Sequence, residues 1–283
     1  MQAESLTLKL ALRLAVAGLV LAAVLAAFGY RNATATPVVV RYRIAVEGLA
    51  APLRIVQLSD EHLSYDMPAA RVRAIVAQVN ALAPDLVALT GDYVGGKIGR
   101  PPVGENLDDG IRPFAALRPR LGVFAVRGNH DNIFWSQQVI PRYGITYLNN
   151  RWADAGPIVV AGMDDYLSGH PDARVALAGV PTNKPVLMLM HNPDAWPQVP
   201  ASVALTLAGH THGGQIKLPL IGAPITGSVN GQRFLYGLVV EGTRRLIVSC
   251  GLGTTAIPIR FGTPPEIVEV TLYSVGRNSG TDK

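Results

Sequence analysis

Two histidines, His210 and His212, stand one residue apart in the motif Gly209-His210-Thr211-His212. The motif follows an apolar run at residues 203–207, which has the length of a buried strand. Two imidazoles that leave a turn at a strand end can reach one cluster of metal ions, because imidazole is a good ligand for Zn and Fe. We therefore expect this turn to form part of a metal site.

Further groups that bind metals occur upstream, each in a short polar motif. The motifs are Asp60-Glu61-His62, Gly91-Asp92, Gly128-Asn129-His130-Asp131 and His191-Asn192. In an extended segment the first and third residues of Asp60-Glu61-His62 point to one side, and Glu61 points away. Carboxylates mixed with imidazoles suit Mn, Fe or Zn better than Mg or Ca. Together the motifs supply enough ligands for two divalent ions.

Each motif alone also has an ordinary explanation. Asp60 and His62 could be solvated groups of a surface loop, and Gly91-Asp92 is a common turn dipeptide. His191 follows an apolar run and could be a hydrogen-bonded core residue. The ordered set of motifs, rather than any single one, favours a metal site.

The remaining polar residues near these motifs have less definite interpretations. Glu61 is expected beside the ligands or in solvent, and His170 in a loop. Asp164 and Asp165 could shape a turn or lie at the rim of the site. Asn129 can complete a metal shell with a neutral oxygen, which leaves His130 beside the metals, where Asp131 could fix its tautomer.

The elements that must position these residues are apolar runs of strand length that end just before them. The runs cover residues 53–58, 86–89, 123–126, 158–161, 186–190, 203–207, 246–248 and 267–272. A helix with apolar residues at helical spacing is predicted over 68–82. Continuous apolar strands separated by helices indicate an α/β fold, in which ligands gather at the carboxyl ends of the strands.

The N-terminus predicts a membrane segment. Residues 14–30 carry no charge, and Arg13 and Arg31 flank them. A helix of this length spans roughly 25 Å, near the lower limit for crossing a bilayer core of about 30 Å. We favour an uncleaved anchor over a signal peptide cleaved after Ala33-Thr34-Ala35. The anchor and linker would occupy residues 1–36, the catalytic domain 37–276 and a polar tail 277–283.

Composition limits the class of partner. The net charge of +5 in 283 residues is mild, and no basic run interleaved with aromatics occurs, so nucleic acid is not an expected partner. Cys250 lacks a second cysteine and is expected to be buried. Residues 95–110 are predicted to form a long loop near the rim. The apolar residues of 218–237 could pack inward or offer a wall to a lipid, and we favour inward packing.

The ordered motifs resemble those of the calcineurin-like metallophosphoesterases over roughly residues 50–275. Residues 249–253 and 260–266 are similar to the membrane-associated bacterial branch of that family. The resemblance implies a four-layer α/β/β/α sandwich after one N-terminal hydrophobic helix. It also implies two metal sites that share Asp92. The first would be held by Asp60, His62, Asp92 and His212, and the second by Asp92, Asn129, His191 and His210.

The chemistry implied is hydrolysis of a phosphate ester. A hydroxide held between two Mn, Fe or Zn ions would attack phosphorus in line. We predict that His130 protonates the leaving oxygen and that Asp131 orients the His130 ring. General acid catalysis of this kind raises the rate about 10²–10⁴-fold. The expected enzyme is an inner-membrane, single-pass phosphodiesterase with its catalytic domain outside the cytoplasm.

The substrate is left open between several classes. A lipid-linked phosphate ester, a UDP-2,3-diacylglucosamine-type diphosphate of lipid A synthesis and a soluble nucleotide or aryl diester are the alternatives. An alternative hypothesis for the function is a metal-stabilised binding module that catalyses no reaction.

Overall fold

The N-terminal segment is a long helix. The computed structural model describes residues 2–64, 66–95 and 107–274, with side chains except those of 2–8 and 107. Helix α1 covers Gln2–Ala33. Its part Lys9–Ala33 is long and apolar enough, by length and composition, to cross a membrane.

The first sheet has six strands in the order β1-β12-β2-β3-β4-β5. They are β1 (Val38–Val46), β2 (Leu53–Leu58), β3 (Leu86–Leu89), β4 (Val123–Ala125), β5 (Ile145–Tyr147) and β12 (Glu266–Ser274). Strands β2 to β5 run parallel, whereas β12 is antiparallel to β2 and parallel to β1. The start of β1 therefore lies at the same edge of the sheet as the carboxyl end of β2.

The second sheet also has six strands, in the order β10-β11-β9-β8-β7-β6. They are β6 (Arg151–Asp154), β7 (Val159–Gly162), β8 (Val186–Leu189), β9 (Leu205–Ala208), β10 (Gly237–Glu241) and β11 (Arg244–Val248). Strands β7, β8, β9 and β11 are parallel, and the two edge strands are antiparallel to their neighbours.

Three apolar clusters show how the layers pack. The middle one lies between the sheets, where Ile55 and Phe124 of the first sheet meet Leu187 and Leu207 of the second. The outer helices are α2 (Ala69–Ala81), α3 (Leu107–Ile111), α4 (Ile133–Val139) and α5 (Ala173–Ala176). Helix α2 packs on the outer face of the first sheet, and α5 packs on the outer face of the second. The fold is thus the predicted four-layer α/β/β/α sandwich after one apolar helix.

The elements differ from the prediction at the sheet edges. All eight predicted strands exist with bounds within two residues of those expected, and α2 confirms the helix predicted over 68–82. Four further strands form the edges of the two sheets: β1, β5, β6 and β10. Cys250 is buried, as predicted. Most of the loop predicted at 95–110 and the tail at 277–283 lie outside the described residues.

Inward packing of residues 218–237 is wrong for part of that segment. Phe234 and Leu235 are buried, but Leu220, Ile221 and Ile225 are exposed, with Leu220 fully accessible. Leu220 and Ile221 belong to a turn in which Leu218 and Gly222 pair through two backbone hydrogen bonds. Both side chains lie on the surface of the domain and do not reach its core.

Candidate metal centre

All the predicted ligand residues follow the carboxyl ends of parallel strands. Strands β2, β3 and β4 of the first sheet and β8 and β9 of the second end two to four residues before them. Because both sheets present these ends at the same edge of the sandwich, residues from 60 to 212 meet there. The structure brings together Asp60, His62, Asp92, Asn129, His191, His210 and His212.

One group consists of Asp60, His62 and His212, whose ligand atoms lie within 4.8 Å of one another. The Nε2 atoms of His62 and His212 are 3.1 Å apart. The Nε2 atom of His212 lies 3.5 Å from Oδ1 of Asp60. An ion bound about 2.0–2.2 Å from each ligand leaves neighbouring ligands about 3.0–3.5 Å apart, so this spacing suits one shared cation.

The second group consists of Asp92, His191 and His210, again within 4.8 Å. The Nε2 atom of His191 is 3.2 Å from Nδ1 of His210 and 3.2 Å from Oδ2 of Asp92. Asn129 joins them, since its Oδ1 lies 3.2 Å from the same Nε2 of His191. The group offers one carboxylate, one amide oxygen and two imidazoles.

Asp92 connects the two groups. Its Oδ2 lies 3.2 Å from His191 Nε2 in the second group and 3.5 Å from His62 Nε2 in the first. Its Oδ1 accepts a hydrogen bond of 2.9 Å from the backbone N–H of His130. The carboxylate therefore stands between the groups, where one oxygen could serve two cations.

The histidine rings are oriented as metal ligands usually are. His62 places Nδ1 2.8 Å from the carbonyl of Gly95, and His191 places Nδ1 2.8 Å from that of Thr90. His210 places Nε2 3.0 Å from the carbonyl of Gly227. A ring nitrogen that donates to a carbonyl leaves the other nitrogen with a free lone pair. In each ring that free nitrogen faces the cluster, so the residues present fit a pair of divalent cations.

The turns that hold the ligands have unusual backbones. Five of the seven ligand residues have positive φ angles: Asp60, His62, Asp92, His210 and His212. A non-glycine residue in this region costs of order 1 kcal/mol, and such strain concentrates at functional sites. Gly209 permits the closest approach, because a Cβ there would collide with the Ser59 hydroxyl and the Asp60 carboxylate.

Burial and charge shift the pKa values of the cluster strongly. Burial alone would lower the pKa of His191, but the Asp92 carboxylate raises it to about 10. Burial, together with the charge of His191, lowers the pKa of His210 to about 4. Burial also raises the pKa of Asp60. Without added cations, the His191 imidazole lies 3.2 Å from Oδ2 of Asp92 and can offset its charge, a role that bound divalent ions would take over.

His130 lies at the mouth of the site. Its side chain is exposed, and its ring meets that of His62 edge to face, with the centroids 5.3 Å apart. The prediction that Asp131 orients this ring is not met. The buried Asp131 carboxylate accepts hydrogen bonds from the backbone N–H groups of Asp92, Tyr93 and Gly128. Asp131 therefore fixes the Asp92 turn, and burial followed by the Asp92 charge raises its pKa to about 7.

The other polar residues that the sequence placed near the ligands differ in burial and in hydrogen-bond partners. Glu61 is buried, not solvated, and within the described residues neither carboxyl oxygen has a hydrogen-bond partner. Burial raises its pKa well above the ordinary value. Asp165 shapes the turn to Ser168, and Asp164 binds Arg127. His170 is an exposed loop residue, as predicted.

Two buried arginines near the ligands were missed by the sequence analysis. Arg127 pairs with Asp164 at 2.8 Å and donates to the carbonyl of Asp131. Arg260 is fully buried, donates to the carbonyls of Cys250 and Thr263, and places Nη2 3.4 Å from Nδ1 of His212. Arg127 adjoins the Gly128 motif, but sequence alone does not distinguish a buried arginine from a surface one.

Comparison with known proteins decides the family. Residues 53–214 match the calcineurin-like phosphoesterases. The chain belongs to this family. A Bacillus subtilis metallophosphoesterase, YkuE, described as uncharacterized, is 33% identical over 231 residues, which cover 78% of this chain and 79% of that protein. As a calcineurin-like phosphoesterase with two candidate metal-binding groups, the chain is a metal-dependent hydrolase.

Two further relatives bear on function and location. Phosphodiesterase YaeI of Escherichia coli is 31% identical over 245 residues, covering 82% of this chain and 87% of that protein. A Danio rerio transmembrane protein with a metallophosphoesterase domain is 32% identical over 285 residues. That match covers 92% of this chain and 63% of the fish protein. The similarity to relatives named transmembrane, together with helix α1, indicates membrane association.

Proposed function

We propose that the chain is a phosphodiesterase that works with two divalent cations. Asp60, His62 and His212 would hold one cation, and His191, His210 and Asn129 the other, with Asp92 shared. The observation that carries the proposal is the position of Asp92 Oδ2, which is within 3.5 Å of one imidazole nitrogen in each group. The mixed nitrogen and oxygen donors favour Mn, Fe or Zn.

The chain's own residues would divide the work as follows. Bound cations would supply a water-derived nucleophile at neutral pH and offset negative charge on the phosphoryl group. His130 would protonate the leaving oxygen, since it is exposed at the mouth and its backbone is fixed to Asp92. Asp131 would hold the Asp92 turn in place through three backbone hydrogen bonds.

Hydrolysis of bis-p-nitrophenyl phosphate with added Mn²⁺ tests the proposal. Asp92→Asn keeps the shape of the side chain but removes its charge, so we expect metal content and turnover to fall together. The fall should exceed the roughly 10–100-fold cost of losing an outer partner of a ligand. Asp154→Asn, an exposed carboxylate on β6, is the matched control.

The same assay separates the alternatives. Equal rates for the wild type and Asp92→Asn would favour a binding module that uses metals only for stability. Faster hydrolysis of p-nitrophenyl phosphate than of the diester would replace the phosphodiesterase proposal with a monoesterase. The name of the relative YaeI supports the diester.

A lipid-linked substrate is the second candidate, favoured by apolar side chains beside the mouth. Phe134 and Trp135 follow His130 by four and five residues, and both are more than half exposed. Exposed aromatics next to a polar centre suit a ligand with an apolar tail and a phosphate head. Comparing a phospholipid diester with a UDP-diacylglucosamine-type diphosphate would test this. Preference for a soluble nucleotide diester over both would reject it.

We further propose that α1 anchors the enzyme in the inner membrane as a single span, with the catalytic domain outside the cytoplasm. At about 1.5 Å per residue, the 25 residues Lys9–Ala33 exceed a bilayer core of about 30 Å. A reporter at the C-terminus that is active only outside the cytoplasm would test the orientation. Activity of a cytoplasm-specific reporter at that position would reverse it.

A further inference from the structure

The end of helix α1 is fixed to the catalytic domain. Phe28 and Phe261 stack at a tilt, with their ring centroids 5.9 Å apart. The backbone N–H of Arg260 donates to the carbonyl of Gly29 at 3.0 Å. Arg71 then holds the chain beyond the helix through the carbonyls of Ala33 and Ala35. The helix therefore leaves the domain at a defined place.

That place is on the same edge of the sandwich as the metal centre. Strand β1 begins at Val38, after the linker 34–37 that follows the helix, and Val38 pairs with Glu266. Strand β12 is antiparallel to β2, so Glu266 lies level with the carboxyl end of β2, just before Asp60. The opposite ends of these strands, near Ala50, are about 20 Å away along a six-residue strand.

An apolar turn projects from the domain beside the docked helix. The backbone of Phe261, whose ring contacts the helix, pairs with Ile216 and accepts from the N–H of Lys217 at 2.8 Å. Residues 218–222 form the turn that starts there. Leu220 is 108% exposed and Ile221 73%, and no charged residue occurs between 218 and 232.

Hydrogen bonds hold the base of this segment in place. The Asp194 carboxylate accepts from the side chains of Ser228 and Asn230 and from the backbone N–H of Val229. The carbonyl of Gly227 contacts the His210 ring at 3.0 Å. The segment thus runs from the helix docking site to the rim of the metal centre, with apolar side chains held outward.

We infer that the turn 218–222 inserts into the surface of the bilayer that α1 spans. The turn lies beside the end of the membrane helix, where the bilayer surface begins. The bilayer is therefore the surface that its apolar side chains would contact. A side chain as exposed as Leu220 is otherwise a liability in water. Insertion would hold the mouth of the metal centre against the membrane, where an amphiphilic phosphate ester presents its head group.

Depth-dependent quenching tests the inference in the full-length chain. Ile221→Cys is labelled with a nitrobenzoxadiazole dye and reconstituted into vesicles of phosphatidylethanolamine and phosphatidylglycerol. The natural Cys250 is buried, so the unsubstituted chain serves as the labelling blank. Ala50→Cys, at the opposite edge of the sandwich, is the matched control. With brominated acyl chains present, the Ile221 label should lose at least about half its emission, because inserted side chains lie about 5–10 Å deep. The Ala50 label should lose little.

Several outcomes would overturn the inference. Quenching of the Ile221 label as weak as that of the Ala50 label would show that the turn stays in water. Disulfide-linked dimers through Ile221→Cys without quenching would assign the turn to a second copy of the chain. The inference rests on the proposed membrane span but not on hydrolysis. Flotation of the unlabelled chain with vesicles reports the span separately, and loss of flotation would reject both span and insertion.

Discussion

At the scale of single residues, the candidate centre separates ligands from the group that would move a proton. His130 touches the ligands through its backbone and the edge of its ring, yet its side chain faces the open mouth. The ligand atoms of the two metal-binding groups do not include it. A residue in this position can serve the reaction without holding a cation.

This separation predicts the behaviour of His130→Ala. Metal content should match the wild type, because every ligand remains, while turnover of a diester with a poor leaving group should fall about 10²–10⁴-fold. Elemental analysis and steady-state rates measure the two effects. His170→Ala removes an exposed histidine from a loop and is the control. Metal loss in His130→Ala would make His130 a ligand and contradict the assignment.

The residues brought together at the centre could be predicted from sequence because their motifs are local. Each ligand follows an apolar strand in a turn of a few residues, and the carboxyl ends of parallel strands share an edge. The hydrogen-bond partners of Asp131 were not predictable. Its carboxylate binds N–H groups of the Asp92 turn almost 40 residues away, and such pairing depends on tertiary contacts.

At the scale of elements, sequence patterns found the strands that are covered on both faces. Continuous apolar runs are typical of such strands, and all eight predicted strands lie in the interior of their sheets. The four that were missed, β1, β5, β6 and β10, are the four edge strands. Edge strands carry charged and half-exposed side chains, as β6 does with Arg151 and Asp154, so their patterns resemble loops.

A buried ion pair links the loop after β4 to the loop after β7. Arg127 and Asp164 are almost completely buried and lie 2.8 Å apart. In Asp164→Ala the guanidinium would remain buried without its partner, which costs about 3–5 kcal/mol. Chemical denaturation in detergent measures the loss of unfolding free energy.

The exposed pair of Lys184 and Asp154 provides the comparison. Asp154→Ala breaks an ion pair whose side chains are 28% and 50% exposed. Such pairs contribute roughly 0–1 kcal/mol. Equal destabilisation by the two substitutions would mean that Arg127 finds another partner or water when Asp164 is absent.

At the scale of the whole molecule, the centre joins the two sheets as well as serving chemistry. Ligands come from the loops of both sheets, and burial raises the pKa values of Asp60 and Glu61. Cations that bind only the folded chain stabilise it by about 2.7 kcal/mol at a hundredfold excess over the dissociation constant. Removing them with a chelator should therefore lower the melting temperature.

Calorimetry with and without chelator measures this effect, and the stabilisation should return when Mn²⁺ or Zn²⁺ is added back. At about 2–4 °C per kcal/mol for a domain of this size, the expected shift is several degrees. An Asp92→Asn chain should melt near the chelated value and respond little to added metal. A chelator shift of the same size in Asp92→Asn would indicate cation binding elsewhere.

The end of helix α1 also packs on the catalytic domain. Two glycines of α1 allow this contact to be tested, because one lies at the contact and the other does not. A Cβ on Gly29 would overlap Ile259 and lie 2.8 Å from the ring of Phe261, whereas one on Gly18 meets nothing within 4 Å. Gly29→Leu should therefore displace the helix end from residues 259–261 at a cost of about 1–3 kcal/mol. Gly18→Leu makes the same change in helix propensity without the collision.

Thermal unfolding in detergent, followed by tryptophan fluorescence, should show a lower melting temperature for Gly29→Leu only. Proteolysis at residues 34–37 should quicken in the same variant, because the docked helix end shields that linker. Matching melting temperatures and cleavage rates for the two variants would mean that the helix is tethered to the domain rather than packed on it.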